Sequence, residues 1–331
     1  MQKIYPAKLK KGDMVRIIAP SLSMAIISSG VREVAARRFS EMGLNVSYGK
    51  HVEEKNESNS SSIESRVADI HEAFADKSVK AVITVIGGFN GNSLLRYLDW
   101  ELIKANPKIF CGYSDITVLN NAIFAKTGLV NYYGPHFSTF GQKKYLEYTL
   151  DYFQKCLMDG GPIGITSSEY WSDDKWYLDQ EKRELVKNTG MKVVNEGAAS
   201  GTILGGNLCT YNLLQGTEYF PSASDIILFI EDDEFGREFT AGEFDRNLQS
   251  LIHLPQFANV RGIVIGRFQK ASVMDFDKIC RIIKSKKELD NIPVVADADF
   301  GHTEPRFTLP IGGQASLKAV AGTIELKILE Y

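Results

Sequence analysis

The stretch that most constrains this chain is Lys108–Lys126, KIFCGYSDITVLNNAIFAK. A short apolar run, Ile109–Cys111, meets Gly112-Tyr113-Ser114-Asp115, and then Ile116, Leu119, Ile123 and Phe124 recur at helix spacing. A strand that turns this abruptly into a helix belongs to a βα unit. The turn can lift one hydroxyl above the sheet edge and aim the following N–H groups at a developing oxyanion. The spacing is close to the nucleophile elbow G-x-S-x-G, but Asp115-Ile116 stands where the second glycine would be. The simpler reading of this stretch alone is that Ser114 or Asp115 caps the helix.

The same alternation runs upstream. Met14–Ala19 is a buried-strand run, Val31–Met42 a helix stopped at Gly43, and Leu44–Tyr48 a second strand. The polar run 53–62 reads as a surface loop, and a Ser61/Glu64 capping box opens the next helix. Lys80–Ile86 is β-branched in the way of sheets covered on both faces, and it opens into Gly87-Gly88-Phe89-Asn90-Gly91-Asn92. Strand–helix alternation up to Lys126 therefore predicts parallel βαβ units.

At 331 residues the chain exceeds what one hydrophobic core usually serves, so two domains are expected. The boundaries fall at 1–160 for an N-terminal α/β domain, 161–190 for a linker and tryptophan-bearing loop (EYWSDDKWYLDQ), and 191–331 for a C-terminal domain. In the last part apolar runs resume at Gly197–Leu204, Ile226–Ile230, Gly262–Phe268, Val294–Ala298 and Ala315–Leu329. Helices are expected from a Thr240/Glu243 capping box and over Asp275–Lys286.

A net charge of −3 gives no reason to expect a nucleic-acid polymer or an anionic membrane as partner. Cys111, Cys156, Cys209 and Cys280 are scattered, which fits thiols in a reducing compartment, and no apolar run is long enough to span a bilayer. The expected localisation is cytoplasmic. Zinc spacing is absent and the glycine turn GGFNGN lacks the G-x-G-x-x-G order, so neither a metal nor a cofactor is expected.

Three features end predicted strands, where α/β sheets place their sites. They are the glycine turn at Gly87–Gly91, the acidic run Glu231–Glu234, and His302 in DADFGHT. Each has a plain alternative: a βα turn, a solvated charge run, a structural histidine. Together with Ser114 they supply a hydroxyl, a base, an orienting carboxylate and glycine-lined backbone donors.

The blocks IGGFNGNSLLRYLD, FCGYSDITVL, LFIEDDE and DFGHTEPRFTLPIG resemble, in order, the signature blocks of the LD-carboxypeptidase family of serine peptidases. The likeness covers essentially the whole chain, and the loop YWSDDKWYLDQ resembles that of the microcin C self-immunity branch. The resemblance implies Ser114 as nucleophile, His302 as base, Glu231 as third member, and the N–H groups of Gly88 and Asp115 as oxyanion donors. It implies an N-terminal flavodoxin-like doubly wound parallel sheet and a C-terminal β-rich α/β domain, usually a homodimer, with the site between them. Phe89, Asn90, Trp171 and Trp176 are then expected to face the substrate, the tryptophans as flat surfaces for a nucleobase. Arg96, Arg246 and Arg306 are candidates for holding a carboxylate or phosphate. The expected activity is hydrolysis of a peptidyl- or aminoacyl-nucleotide amide. The alternatives are release of D-alanine from murein tetrapeptide, and a two-domain binding protein without chemistry.

Overall fold

In the computed structural model, which describes residues 2–331, the N-terminal alternation folds as β1 (Met14–Ile18), α1 (Ser29–Glu41), β2 (Asn45–Tyr48), α2 (Ile63–Ala75), β3 (Val79–Thr84), α3 (Trp100–Ala105), β4 (Ile109–Gly112), α4 (Thr117–Thr127), β5 (Asn131–Tyr133) and α5 (Glu147–Leu157). The strands lie in the order β2-β1-β3-β4-β5, all parallel, which is the flavodoxin-like order. Central β4 is buried throughout, as its unbroken apolar run requires.

The chain continues through β6 (Ile163–Ile165), a small hairpin of β7 (Tyr170–Trp171) and β8 (Val186–Lys187), β9 (Lys192–Asn195), β10 (Gly197–Asn207), α6 (Leu208–Asn212), β11 (Ile226–Glu231), α7 (Thr240–Ile252), β12 (Val260–Gly266), α8 (Phe276–Lys284), β13 (Val294–Ala298), β14 (Leu309–Ile311), β15 (Gln314–Val320) and β16 (Thr323–Glu330). A second sheet of eight strands has the order β6-β16-β15-β10-β11-β12-β13-β9. Its centre, β10 to β13, is parallel and its flanks are antiparallel. The mixed α/β architecture in two domains follows the expectation.

The two sheets are more interleaved than the sequence suggests. β6 falls inside the expected linker yet pairs with β16. β14 falls inside the C-terminal stretch yet pairs antiparallel with β5, on the edge of the first sheet. Strands of three residues carry too little periodicity to reveal their partners.

Both expected capping boxes shift. α2 is capped by Ser62, whose hydroxyl accepts from Ser65 N–H, rather than by Ser61. A short 3₁₀ turn, Arg237–Phe239, leads directly into α7, so Phe239 occupies the cap and the buried Thr240 hydroxyl has no hydrogen-bond partner. A preceding helical turn supplies the entry that a side-chain cap otherwise provides.

The domains meet where α4 lies against the end of β10. The Asn121 amide donates to Gly205 C=O at 2.8 Å and accepts from Gly205 N–H at 3.3 Å, while the Thr117 hydroxyl accepts from Asn207 N–H. This seam brings the C-terminal ends of β4 and β11 face to face.

Candidate active site

Ser114 sits at the end of β4 with φ +60°, a left-handed conformation that costs a non-glycine residue about 1–3 kcal/mol. Its carbonyl accepts from Thr117 Oγ1 at 2.6 Å, and its N–H donates to the Tyr133 hydroxyl at 3.3 Å. The side chain is not a helix cap, which removes the simpler reading of the sequence: α4 is capped at Ile116 without a side-chain bond. Nor is Asp115 a cap. Its buried carboxylate accepts from Ser21 Oγ at 2.6 Å and from Gly91 N–H at 2.8 Å, bracing the glycine turn.

That turn packs directly on the serine. A Cβ added to Gly87 would lie 2.9 Å from Ser114 Cβ and 3.0 Å from Oγ. Among the described residues neither the Gly88 N–H nor the Asp115 N–H has an acceptor within the protein.

From the other domain, β11 ends on Glu231, fully buried, and His302 follows β13. His302 Nε2 is 3.0 Å from Ser114 Oγ, and His302 Nδ1 is 2.7 Å from Glu231 Oε2. Sequence distances of 188 and 71 residues separate these pairs. The remaining Glu231 oxygen accepts from the Tyr133 hydroxyl at 2.6 Å.

Burial alone would push the Glu231 carboxyl up. The imidazole charge and hydrogen bonds from His302, Tyr133 and Asn207 outweigh it and hold the group below the usual carboxylate range. Burial likewise opposes charging His302, but the charge and hydrogen bond of Glu231, with Asp233 behind, raise its pKa above the ordinary value. Asp232 is pushed up to about 7 by burial and by the like charges of Glu231 and Asp233. Burial drives His136, under Tyr113 at 4.3 Å, well below the usual histidine range.

A chamber of about 190 Å³ opens above the imidazole, lined among others by Tyr113, Trp176, Tyr177, Glu234, His302 and Arg306. The loop that carries Trp176 is fastened on both sides. Ser172 and Glu304 form a two-hydrogen-bond bridge beside His302, and Arg183 pairs with Asp174 at 2.9 Å with both side chains nearly buried.

The expected substrate-facing residues divide. Trp176 lines the chamber, but Trp171, on β7, does not; its ring faces the Arg267 guanidinium at 5.2 Å and the Lys270 ammonium at 5.6 Å. Phe89 is 68 % exposed and meets Phe235, 73 % exposed, edge to face across the domain seam at 5.2 Å. Asn90 works within the glycine turn, its side chain facing Ser21 and its carbonyl accepting from Arg66. Of the three arginines only Arg306 lines the chamber. It lies over the Tyr113 ring and is paired with Glu304 at 2.6 Å, whereas Arg96 and Arg246 are exposed.

The sequence does not single out Tyr133 or Phe235, and it offers Asp232 only as one member of the acidic run Glu231–Glu234. Asn131-Tyr132-Tyr133 offers two adjacent tyrosines with nothing to tell them apart, since only strand alternation decides which one faces the site. No group of three or more ligating side chains is arranged to hold a metal ion among the described residues.

Comparison with known proteins identifies the family and the fold. The N-terminal domain of LD-carboxypeptidase matches residues 15–134 and its C-terminal domain residues 200–317. YocD of Bacillus subtilis, a carboxypeptidase in name, is 54% identical over 98% of this chain and 99% of its own. The crystal structure of an MccF-like protein from Bacillus anthracis superposes with a TM-score of 0.98 at 52% identity, covering 99% of this chain and 100% of that one. The Microcin C7 self-immunity protein MccF of Escherichia coli is 30% identical over 93% of this chain and 91% of its own. Its structure with aspartyl sulfamoyl adenosine superposes with a TM-score of 0.87 at 28% identity, covering 99% of each chain. The chain belongs to the LD-carboxypeptidase family of peptidases.

Proposed function

We propose that this peptidase is a serine amidase that hydrolyses peptidyl- or aminoacyl-nucleotide conjugates through an acyl-enzyme on Ser114. The observation that carries the reading is the unbroken chain Ser114 Oγ–His302–Glu231, at 3.0 and 2.7 Å, beneath a chamber that Trp176 and Tyr177 line.

In this mechanism His302 Nε2 takes the Ser114 proton as Oγ attacks the scissile carbonyl. Glu231 stabilises the imidazolium that forms and fixes Nδ1–H toward itself. The N–H groups of Gly88 and Asp115 donate to the oxyanion. Collapse of the tetrahedral intermediate breaks the C–N bond, and His302 gives its proton to the departing nitrogen. Water then attacks the ester, His302 accepts its proton, and the second collapse returns that proton to Ser114 with release of a carboxylic acid.

The aromatic surface of Trp176, which lines the chamber, is where a nucleobase stacks; such stacking is worth about 1–3 kcal/mol per base. Trp171 is left out because its ring is already occupied by two cations. The MccF relative that binds aspartyl sulfamoyl adenosine supports the choice of leaving group. The reading extends to a cytoplasmic homodimer, supported by four cysteines that form no disulfide and by the family resemblance.

The test is hydrolysis of aspartyl sulfamoyl adenosine and of murein tetrapeptide by the wild type and by Ser114→Ala. Cleavage of the nucleotide conjugate, reduced on the order of 10⁴-fold or more in Ser114→Ala, is the expected result. Release of D-alanine alone would move the enzyme to cell-wall turnover. Binding of either compound without cleavage would make it a binding protein.

A further inference from the structure

Tyr133 ends β5 and presses its hydroxyl between the two domains, where it meets both halves of the reacting chain. It accepts from the nucleophile's own N–H at 3.3 Å and donates to Glu231 at 2.6 Å. The side chain is 1 % exposed, so neither bond competes with solvent. Its passage across the seam depends on β10: a Cβ on Gly206 would lie 2.9 Å from the tyrosine ring. Neighbouring Tyr132 points the opposite way, its hydroxyl accepting from Lys8.

We propose that Tyr133 is a positioning residue that, through one hydroxyl, holds Ser114 in its left-handed conformation and sets how strongly Glu231 acts on His302. This rests on the serine-amidase reading above. Two physical effects are combined. The bond to the Ser114 N–H offsets part of the strain at φ +60° and fixes the direction of Oγ. The bond to Glu231 draws charge toward the tyrosine, and a hydrogen-bonded carboxylate is a weaker base toward its other partner.

Removing the hydroxyl leaves the full carboxylate charge facing the imidazolium, which raises the His302 pKa further. Strengthening the donor has the opposite result. Other charged or titratable groups around His302 are Asp232 and Asp233 beyond Glu231, Arg306 and Glu304 downstream, and Tyr113 and His136 from the first domain. None of them bonds to the Tyr133 hydroxyl.

The experiment is NMR titration of the His302 ring in full-length wild type, Tyr133→Phe and Tyr132→Phe, with the resonance assigned by His302→Ala. It needs no substrate, so its outcome is separate from whether Ser114 turns anything over. The expected result is a higher His302 pKa in Tyr133→Phe and no change in Tyr132→Phe. On a cleaved substrate, kcat is expected to fall about 10- to 100-fold with KM little changed, since the lost orientation acts on the chemical step. If Tyr133→Phe does not fold, site-specific 3-fluorotyrosine at position 133 keeps the hydroxyl, strengthens its donation and should lower the His302 pKa. An unchanged His302 titration in either modified protein would overturn the proposal.

Discussion

At the scale of single residues the proposed chemistry turns on where one proton resides. With its pKa above the ordinary 6.5, His302 keeps its proton to higher pH than a free imidazole and becomes a base only beyond that point. The acid limb of kcat/KM, which reports the free enzyme, is therefore expected above that ordinary value, with activity rising as the imidazole deprotonates. Asp232, pushed up to about 7 by burial and its acidic neighbours, is a second group that could titrate in the activity profile. Kinetics of Asp232→Asn beside wild type separate the two: the limb should persist in the variant, and its disappearance would assign it to Asp232. The same shifts fix the pH dependence of stability. The raised His302 contributes below its unfolded pKa and loses that contribution as pH climbs through the folded value. The depressed Glu231 contributes above its unfolded pKa and loses that as pH falls through the folded one.

At the scale of elements, the proposed function makes the loop between β7 and β8 the place where specificity is decided. It has little apolar anchoring, and the Asp174–Arg183 pair together with the Ser172–Glu304 bridge fixes its course. Breaking a buried pair by removing one partner typically costs about 3–5 kcal/mol, because the other charge stays buried. In Arg183→Ala the abandoned Asp174 carboxylate is expected to draw the loop toward solvent and carry Trp176 out of the chamber. KM for a nucleotide conjugate should then rise tenfold or more, with a much smaller change in kcat. Steady-state kinetics check this, and an unchanged KM would mean that the loop does not touch the substrate. The tryptophans at 171 and 176 looked equivalent in the sequence. Hairpin pairing of Trp171 with Val186 separates them, turning Trp171 toward Arg267 and Lys270, and no local pattern announces that.

At the scale of the whole molecule, much was legible because strong local signals coincide with the structure. The parallel sheet follows from β-branched runs such as Val79–Thr84, each bounded by glycine turns and helix-periodic segments. Ser114, Glu231 and His302 were each legible as strand-end residues. Their meeting across two domains was not, since it depends on the seam between α4 and β10. Short edge strands escaped, and so did Tyr133, whose role exists only once β5 and β11 stand opposite each other.

The central claim is that Ser114 is a nucleophile activated by His302, and covalent labelling with a fluorophosphonate probes it most directly. The wild type should take up one equivalent of label, mapped by mass spectrometry to Ser114, and His302→Ala should lose that reactivity while remaining folded. A label on another residue, or none on a folded wild type, would contradict the account.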